Sequence, residues 1–318
     1  MITSISVILP TYNGATRGEG KYLKQAIESV LNQSYSNFEL IIINDGSKDN
    51  TEEIIKQYKD NRIIYLKHDI NKGPAAARNT ALKEATGEYI AFLDDDDYYL
   101  PNKLEDQLKF MIKNNVNISI CGGFIIKENN KFLYLSKNKV KKFIHTLDIY
   151  LDKINFFPDT IMIKNNMKDI LFKENLKAAV DWDYVLRLSM REKILMFPQR
   201  LFAYRIHQSN LTKNLESIFY YRLLISFELK NELIKYFNKP EHYYFYNLHS
   251  VYSINSLKEF RKFYKIVNPL GKAPIEWKIK YLLSYFPFLT KLTVKLKLKD
   301  KFYKFVQNYL HFNTIFTL

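Results

Sequence analysis

Cysteine is almost absent from the sequence, which has only Cys121 among its 318 residues. One cysteine cannot build an internal disulfide framework, and this scarcity fits a reducing compartment. Long hydrophobic runs are missing too: no stretch of about 18 uninterrupted apolar residues occurs, so we expect no transmembrane helix. Met1 is followed by a strand-like "ISVILP" rather than by a basic and then apolar leader. We therefore expect no signal peptide.

Several other signatures are also missing. The sequence has no GxxxxGKS-type loop and no glycine fingerprint for a dinucleotide, so neither P-loop phosphate binding nor dinucleotide binding is supported. No internal repeat occurs at the periods of solenoid proteins. Hydrophobic residues make up 47% of the chain, which is enough for a core and argues against a wholly disordered protein.

Positive charge is in excess, but only in the second part of the chain. Lys and Arg number 48 against 33 Asp and Glu, a net charge of +15. Residues 1–110 carry 13 basic and 17 acidic residues, a net of −4, so the remainder carries 35 against 16, a net of +19. Such a basic excess suggests a polyanionic partner, either nucleic acid or an anionic membrane surface.

Short apolar runs alternate with helical patterns over the first 110 residues. This alternation predicts an α/β fold with a mostly parallel sheet, and the continuous apolar runs fit strands that helices cover on both faces. Gly87 is the expected end of the third helix. The predicted strands are "SISVILP", "FELIIIND", "RIIYLKH" and "EYIAFLD", and the predicted helices are "KYLKQAIESVLNQ", "NTEEIIKQY" and "PAAARNTALKEATG".

The pattern loosens after residue 110. The segments "ISICGGFIIK" and "KFLYLS" resemble a strand pair, and "DWDYVLRLSMR" resembles a helix. Residues 213–318 are dominated by Tyr, Phe, Leu, Ile and Lys, with little glycine. We expect this last region to be mainly helical.

Polar residues follow the predicted strands where each strand ends. The first strand ends in "PTYN" at 10–13, the second in "NDGS" at 44–47, and the fourth in four aspartates at 94–97. Arg78 lies near the start of the third helix. Because ligands bind at the carboxyl ends of the strands in open parallel sheets, this convergence predicts a ligand site at one edge of the sheet.

The four aspartates at 94–97 repel one another at pH 7 unless something offsets their charge. One interpretation is a solvated acidic loop ahead of a helix that starts near Pro101, since aspartate is favourable at a helix N-terminus. The other is a site for Mg²⁺ or Mn²⁺, which take carboxylate ligands and substrate phosphates. The position of the tetrad directly after a buried strand favours the cation. Asp97 is expected to serve only the following helix.

Together these segments resemble the family-2 glycosyltransferases, inverting enzymes with the GT-A fold, which is Rossmann-like with a mostly parallel central sheet flanked by helices. The resemblance implies a glycosyltransferase domain at 1–212, with a nucleotide-sugar half at 1–110 and an acceptor half at 111–212, and a basic, aromatic helical region at 213–318. It is carried by "SVILPTYN", "SVLNQSYSNFELIIINDGSKDNT", "NKGPAAARNTALKEATGEYIAFLDDDD", "VDWDYVLRL" and "YRIHQSNLT".

The resemblance also implies roles for individual residues. Asp94 and Asp96 match the family's DXD motif, with Asp96 as the first choice of metal ligand, His207 as a further one, and Mn²⁺ or Mg²⁺ as cofactor. Arg205 and His207 are expected to contact the diphosphate. The nucleotide-sugar is expected to bind at Pro10, Thr11, Tyr12, Asn13, Asp45, Arg78, Asp94 and Asp95.

The catalytic base is expected in "AAVDWDYVLRL". An inverting transfer needs a carboxylate that takes the proton of the acceptor hydroxyl. Asp181 falls on the family's base position, and Asp183 is the second choice. Either could instead be a carboxylate that stabilises the start of a helix. Trp182 is expected either to pack on the acceptor sugar or to be buried.

Two features depart from the family's pattern. Asn44 stands where the family usually has an acid, so the nucleotide contact rests on Asp45. The segment "NGATRGEGKYL" is a few residues longer than usual between the first strand and helix, and Gly14, Gly18 and Gly20 make it flexible. The sequence assigns no role to this loop.

Residues 271–318 combine nine lysines with two acids, a net charge of +7, and many aromatic residues. This mixture suits a helix in a membrane interface, where each lysine near an anionic leaflet contributes about 1 kcal/mol. The competing interpretation is a helical subdomain packed on the enzyme. No nucleic-acid-binding module accompanies the patch. We therefore expect no nucleic-acid partner, and a cytoplasmic protein that attaches to the inner face of the membrane if this segment binds lipid.

The leading hypothesis is a metal-dependent, inverting glycosyltransferase. Its donor is expected to be a UDP-hexose or UDP-N-acetylhexosamine, and its acceptor a hydroxyl of a growing lipopolysaccharide, capsule or lipid-linked glycan. The alternative is a non-catalytic module of the same fold that binds a divalent cation and a membrane. The sequence identifies neither the sugar nor the acceptor, because no motif positions the side chains that choose them.

Overall fold

A computed structural model describes residues 3–126, 132–134, 142–150, 154, 156–207 and 215–236. The chain divides into two compact units, Met1–Tyr221 and Arg222–Leu318. The division expected after residue 212 stays a prediction. The basic segment 271–318 lies outside the described residues.

Strands and helices alternate over the first 110 residues, as the hydrophobic pattern predicts. The elements are β1 (Ile5–Thr11), α1 (Lys21–Leu31), β2 (Phe38–Asn44), α2 (Thr51–Lys56), β3 (Ile63–Lys67), α3 (Pro74–Glu84) and β4 (Tyr89–Phe92). Strand β1 pairs in parallel with β2 on one side and β4 on the other, and β2 pairs in parallel with β3. The predicted strand and helix order of this half is therefore confirmed.

The next segments add a mixed set of strands. They are β5 (Tyr98–Tyr99), α4 (Lys103–Asn114), β6 (Ile118–Ile126), β7 (Phe132–Tyr134), β8 (Lys142–Ile144), α5 (Thr146–Tyr150), β9 (Ile161–Lys164), α6 (Val180–Arg191) and β10 (Ile194–Arg205). The expected strand pair is β6 with β7, which run antiparallel, and the expected helix is α6. Both predictions are confirmed.

The helical character expected after residue 213 is confirmed where the chain is described. Residues 215–236 contain α7 (Leu215–Glu228) and α8 (Lys230–Leu233). Across the described ranges, no helix is both long enough and apolar enough to span a bilayer.

The strands of the described residues form one sheet in the order β3-β2-β1-β4-β9-β6-β10-β5, with β7 added to β6 and β8 to β10. Strand β9 is antiparallel to both of its neighbours, β4 and β6, whereas β6 and β10 are parallel. The chain runs outward from β1 to β3 and returns to the other side of β1 at β4. Such a reversal of strand order opens a crevice at the carboxyl ends of the two strands, where ligands bind.

The core lies on both faces of the central strands. Every residue of β1 is buried, and in β2 only Glu39 is partly exposed. Residues three and four apart share one side of a helix. Helix α1 accordingly packs its apolar stripe on the sheet, and α3 does so with small side chains. The buried apolar residues are Leu23, Ala26, Ile27 and Val30 in α1, and Ala75, Ala76, Ala77, Ala81 and Leu82 in α3.

Gly87 does not end the third helix, contrary to the sequence-based expectation. Helix α3 ends at Glu84, and Ala85 is already extended. A Cβ atom on Gly87 would lie 2.5 Å from the backbone nitrogen of Ser6, and Gly87 N–H donates to the Ser6 Oγ at 2.8 Å. Glycine is needed here because the chain entering β4 passes against β1 at a distance that no side chain permits.

Pro10, the next-to-last residue of β1, limits the pairing of β1 with β4 but leaves its pairing with β2 intact. The C=O of Ile8 accepts Leu93 N–H at 2.9 Å, and the pairing of β1 with β4 ends at Ile8. Because alternate residues direct their backbone groups to the same side of a strand, the missing N–H of Pro10 falls on the β4 side, beyond the ladder. On the β2 side, Thr11 C=O accepts Asp45 N–H at 2.9 Å. The strands β1 and β4 therefore part at Pro10.

Candidate active site

The acidic segment 94–97 forms a tight turn at the end of β4. Asp97 N–H donates to Asp94 C=O at 3.1 Å, and Asp94 N–H donates to Oδ1 of Asp159 at 2.7 Å. Alternate side chains are buried: Asp95 is 5% and Asp97 1% exposed, whereas Asp94 and Asp96 are partly exposed. The turn therefore leaves Asp94 and Asp96, the two carboxylates of the DXD pattern, accessible to a ligand.

Asp97 holds the acidic turn to β10 and not to the following helix. Its Oδ1 accepts Arg205 N–H at 2.8 Å, and Arg205 Nε donates to Asp96 C=O at 3.0 Å. Burial and the neighbouring Asp159 raise the pKa of Asp97 well above its usual value. The guanidinium of Arg205 lies 4.3 Å from the centre of the Tyr22 ring. Arg205 thus supports the acidic turn, and its contact with a diphosphate stays a prediction.

Asp95 faces β1 and the long loop that follows it. Its Oδ2 accepts hydrogen bonds from Thr11 Oγ1 and from Nη2 of Arg17. Burial raises the pKa of Asp95 to about 7, Arg17 opposes the rise, and Asp96 adds to it. The structure thus brings together two predicted nucleotide-binding residues, Thr11 and Asp95, and adds Arg17, for which sequence analysis predicts no role.

Asp96 meets His207, the residue predicted with it for the metal. His207 Nε2 lies 2.8 Å from Oδ2 of Asp96, and both side chains are mostly buried, at 7% and 16% exposure. In the part of the chain that the structure describes, no three His, Cys, Asp or Glu side chains are grouped to hold a metal ion alone. Asp96 and His207 can supply two ligands to a cation here, and water or substrate oxygens would supply the rest.

Arg78 connects the acidic turn with the start of α6. Its Nη2 donates to Asp94 Oδ1, and its Nη1 lies 3.5 Å from Asp181 Oδ1. The Arg78 side chain is only 5% exposed, and its guanidinium lies 5.3 Å from the centre of the Phe172 ring. Residues predicted separately for donor binding and for base catalysis therefore meet at one cation.

Asp181 and Asp183 have opposite environments, although they lie only two positions apart in the sequence. The Asp181 side chain is 41% exposed. Partial burial in the crevice raises its pKa above the ordinary value, while Arg78 lowers it. Asp183 is fully buried and accepts hydrogen bonds from Arg187 Nε at 2.8 Å and Nη2 at 2.6 Å, with Lys173 Nζ 3.3 Å away. The accessible carboxylate is Asp181.

Trp182 is buried and does not face the crevice. It is 4% exposed, and its Nε1 donates to Ile149 C=O at 3.2 Å. The ring of Tyr150 lies 5.8 Å away, centre to centre. Of the two expectations for Trp182, burial is confirmed.

Asp45 is buried at the end of β2 and organises the loop ahead of α3. His68 Nδ1 lies 2.7 Å from its Oδ1, which also accepts Lys72 N–H at 2.9 Å, and its Oδ2 accepts Gly73 N–H at 2.8 Å. Asn44 stabilises its own turn, because its Oδ1 accepts a hydrogen bond from Ser47 N–H at 2.9 Å. Contact of Asp45 with a nucleotide stays a prediction.

The end of β1 presents an aromatic ring beside a fixed turn. Tyr12 is 42% exposed. The backbone N–H of Asn13 donates to Ser47 Oγ at 2.9 Å, and Asn13 Oδ1 accepts Lys48 N–H at 2.9 Å. Asn13 thus ties the ends of β1 and β2 together, and Tyr12 is the residue of this group with a free face for a ligand.

Sequence reasoning missed two residues of the site. Asp159 holds the acidic turn through the Asp94 N–H, yet it lies in "FPDT", which carries no motif. Arg17 contacts Asp95 directly. The unusual length of its loop indicates that the loop contributes to the site. Length alone does not reveal which side chain of the loop points toward the acidic turn.

The family follows from a direct match. Residues 6–171, more than half of the chain, match the family model described as Glycosyl transferase family 2.

The chain belongs to glycosyl transferase family 2.

A curated relative of this family-2 chain has a stated substrate. The Escherichia coli protein named UDP-Glc:alpha-D-GlcNAc-diphosphoundecaprenol beta-1,3-glucosyltransferase WfgD is 43% identical over 129 residues, which cover 41% of this chain and 49% of that protein. Matches to two other curated relatives, both named as uncharacterized glycosyltransferases, cover 29% and 33% of their lengths. The chain thus spans half or less of these three proteins.

Solved structures confirm the expected GT-A type of fold for this family-2 chain. Staphylococcus aureus TarS 1-349 in complex with UDP has a TM-score of 0.64 at 21% identity and covers 89% of both chains; its complex with UDP-GlcNAc gives 0.63. The mannosyltransferase PcManGT from Pyrobaculum calidifontis, in complex with GDP-Man and Mn²⁺, has a TM-score of 0.56 at 16% identity and covers 96% of this chain and 84% of its own. At these identities the likeness concerns the fold alone.

Proposed function

We propose that the protein is an inverting, metal-dependent glycosyltransferase that moves a hexose or N-acetylhexosamine from a UDP-sugar to a hydroxyl of a lipid-linked glycan, such as a lipopolysaccharide or capsule precursor. The observation that carries the proposal is the position of Arg78 between Asp94 and Asp181. It sets the proposed base beside the acidic turn proposed to hold the donor.

Asp181 is the proposed general base. It takes the proton of the acceptor hydroxyl as that oxygen attacks the anomeric carbon. The bond from this carbon to the UDP oxygen breaks on the opposite side, so the configuration inverts and no covalent glycosyl-enzyme is needed. The raised pKa of Asp181 makes it a better proton acceptor than an ordinary aspartate. Arg78 keeps this carboxylate and Asp94 in fixed positions.

The side-chain atoms of Asp96 and His207 are suitable ligands for a divalent cation. Oδ2 of Asp96 and Nε2 of His207 lie 2.8 Å apart, so both can contact one ion while diphosphate oxygens and water complete its shell. An imidazole ligand favours a transition metal such as Mn²⁺ over Mg²⁺, which prefers oxygen. Asp94 is the weaker candidate, because Arg78 already holds it. A bound cation would offset the charge of the departing diphosphate.

The proposed substrates are supported by the relatives and by the end of β1. WfgD is named for UDP-Glc and a GlcNAc-diphosphoundecaprenol acceptor, and TarS has been solved with UDP and UDP-GlcNAc. The exposed ring of Tyr12 offers a flat apolar face for a pyrimidine base. Oδ2 of Asp45 accepts one hydrogen bond, from Gly73, which leaves it able to accept a second from the base.

A panel of UDP-sugars tests this proposal. We expect Mn²⁺-dependent hydrolysis of at least one UDP-sugar, and transfer to a lipid-linked acceptor, by the wild type. Asp181→Asn should abolish transfer while UDP-sugar affinity, measured by calorimetry, stays within about threefold, because the base acts on the acceptor. Glu84→Gln, which changes an exposed carboxylate at the end of α3, is the matched control and should behave as the wild type. Absence of any metal-dependent UDP binding would instead favour the non-catalytic module.

A further inference from the structure

Arg17 places a positive charge against the proposed metal ligand. Its Nη2 donates to Asp95 Oδ2 and, at 3.1 Å, to Tyr12 C=O. Its Nη1 lies 3.8 Å from Oδ2 of Asp96, the same oxygen that lies 2.8 Å from His207 Nε2. The guanidinium therefore lies between the ends of β1 and β4, beside the oxygen that a cation would need.

The backbone of the long loop fixes Arg17 in this place. Just before it, the N–H and Oγ1 of Thr16 both donate to Asp49 Oδ2 at 2.8 Å, and Ala15 N–H donates to Thr51 Oγ1 at 3.1 Å. Five hydrogen bonds thus join residues 13–16, which lead up to Arg17, to the segment after β2, counting the two that Asn13 makes with Ser47 and Lys48. These hydrogen bonds hold the loop in one position beside the site.

The turn after Arg17 has an unusual backbone. Three successive residues adopt positive φ, a conformation that glycine accepts readily and other residues do not. A tight left-handed turn directly after Arg17 returns the chain to α1, which begins at Lys21. The three residues are Gly18 (54°), Glu19 (55°) and Gly20 (76°).

A guanidinium and a divalent cation compete for one carboxylate, because two positive charges at this distance repel each other. A diphosphate, in contrast, is a strong bidentate partner for an arginine. We propose that Arg17 keeps divalent cations away from Asp96 in the nucleotide-free protein, and that the diphosphate of a nucleotide draws the guanidinium off and so admits the cation. This inference rests on the proposed function, and it makes metal binding depend on the nucleotide.

Binding of Mn²⁺ to the purified full chain tests the inference without any turnover. Free Mn²⁺ is measured by electron paramagnetic resonance, with and without saturating UDP. Without UDP, Arg17→Gln should bind Mn²⁺ at least about tenfold more tightly than the wild type, because one competing charge is gone. UDP should raise the Mn²⁺ affinity of the wild type by at least about tenfold, and that of Arg17→Gln by clearly less.

Two further variants separate charge from shape. Arg17→Lys keeps the positive charge, so its UDP-free Mn²⁺ affinity should stay within about threefold of the wild type. Lys21→Gln removes a neighbouring cation that is 77% exposed and paired with Glu19, and it should change nothing. Thermal unfolding of each variant confirms that it is folded.

Equal UDP-free Mn²⁺ affinity in the wild type and Arg17→Gln would overturn the inference, as would an Arg17→Lys that binds as tightly as Arg17→Gln, or no Mn²⁺ binding by any variant. Sugar transfer is scored separately. Transfer activity together with unchanged Mn²⁺ affinity in Arg17→Gln rejects only the role of Arg17. The expected Mn²⁺ pattern in a protein that transfers no sugar supports that role and rejects the proposed function.

Discussion

Nη1 of Arg78 lies 3.5 Å from Oδ1 of Asp181, across 103 positions of sequence. The same side chain donates to Asp94 and is almost fully buried. Asp181 is surrounded by protein on one side, which raises its pKa, and by this cation on the other, which lowers it. The ionisation of the proposed base is therefore set by the balance of the two.

Replacing Arg78 should change the pH dependence of transfer. A carboxylate base acts only when ionised, so kcat/KM falls as the pH drops through its pKa. Arg78 lowers the pKa of Asp181; without it that pKa rises, and the acid limb moves to higher pH. We expect this upward shift in Arg78→Gln, read from the pH profile of kcat/KM. Arg191→Gln, on an exposed pair with Asp169, is the control. An acid limb that does not move in Arg78→Gln would contradict this account of the base.

Asp181→Asn and Asp183→Asn should have opposite effects on activity and stability. Asp183 is fully buried and paired with two cations, so Asp183→Asn should lower the free energy of unfolding by about 1.5–3 kcal/mol. Asp181 is partly exposed, and Asp181→Asn should change that free energy by less than about 0.5 kcal/mol while abolishing transfer. Urea unfolding and an activity assay decide. If Asp183→Asn is stable but inactive and Asp181→Asn stays active, the base is Asp183.

The four aspartates of the acidic turn should not be equivalent. Asp96→Asn removes a proposed metal ligand, and Mn²⁺-dependent transfer should fall by about 100-fold or more. Asp97→Asn should lower the transfer rate by less than about tenfold. The amide oxygen of the asparagine can still accept the hydrogen bond that Arg205 N–H donates to Asp97. Initial rates measured across a Mn²⁺ titration separate the two. Similar losses in both variants would show that the turn acts as one unit.

Lys103 should make stability depend on pH in the alkaline range. The side chain is fully buried, and its Nζ donates to the Tyr99 hydroxyl at 3.2 Å. Burial lowers its pKa to about 8 from 10.5. Between these values the unfolded chain binds more protons than the native one, so the free energy of unfolding rises with pH, by ~3 kcal/mol in all.

Lys103→Met should remove this rise, as urea unfolding at several pH values will show. Wild type and variant are compared because burial also raises the pKa of Cys121 to about 12, which gives a slope of opposite sign. Lys109→Met, at a position 70% exposed, should keep the wild-type slope. A slope left intact by Lys103→Met would mean that another group titrates.

The basic segment 271–318 should attach the protein to anionic membranes. Its net charge of +7 favours a negative lipid surface, and the attraction weakens as salt screens it. A chain ending at residue 270 should bind phosphatidylserine liposomes less than the full chain at low salt, as measured by sedimentation. Neutral liposomes are the control. Equal binding by both chains would mean that this segment has no membrane role.

The first half of the fold was predictable because each element carries its own local pattern. The strand β1 is a short apolar run and α1 shows a clear helical period, so neither needs a distant partner to be recognised. Strand β9 was not predicted. Its four residues (Ile161–Lys164) are too few to show a period, and their place between β4 and β6 depends on pairing that no local pattern encodes.

In the candidate site, too, residues within local motifs were predictable and their distant partners were not. Motifs pointed to Asp94, Asp96 and Asp181, and the structure brings Asp94 and Asp181 to Arg78. The partners that hold these residues were not predictable. Asp159 lies 65 positions from Asp94, whose backbone N–H donates a hydrogen bond to it. The position of the Arg17 side chain depends on the hydrogen bonds of its loop. Side-chain pairs between distant segments leave no trace in a local pattern.

Pro10 in β1 stops the backbone hydrogen bonding between β1 and β4, which would otherwise continue along both strands. Past Ile8, the next residue whose backbone groups face β4 is Pro10, which has no N–H to donate. The crevice is thus kept open by backbone chemistry. Side chains around it can change to suit another sugar or acceptor without the two strands joining over the place where substrates would enter.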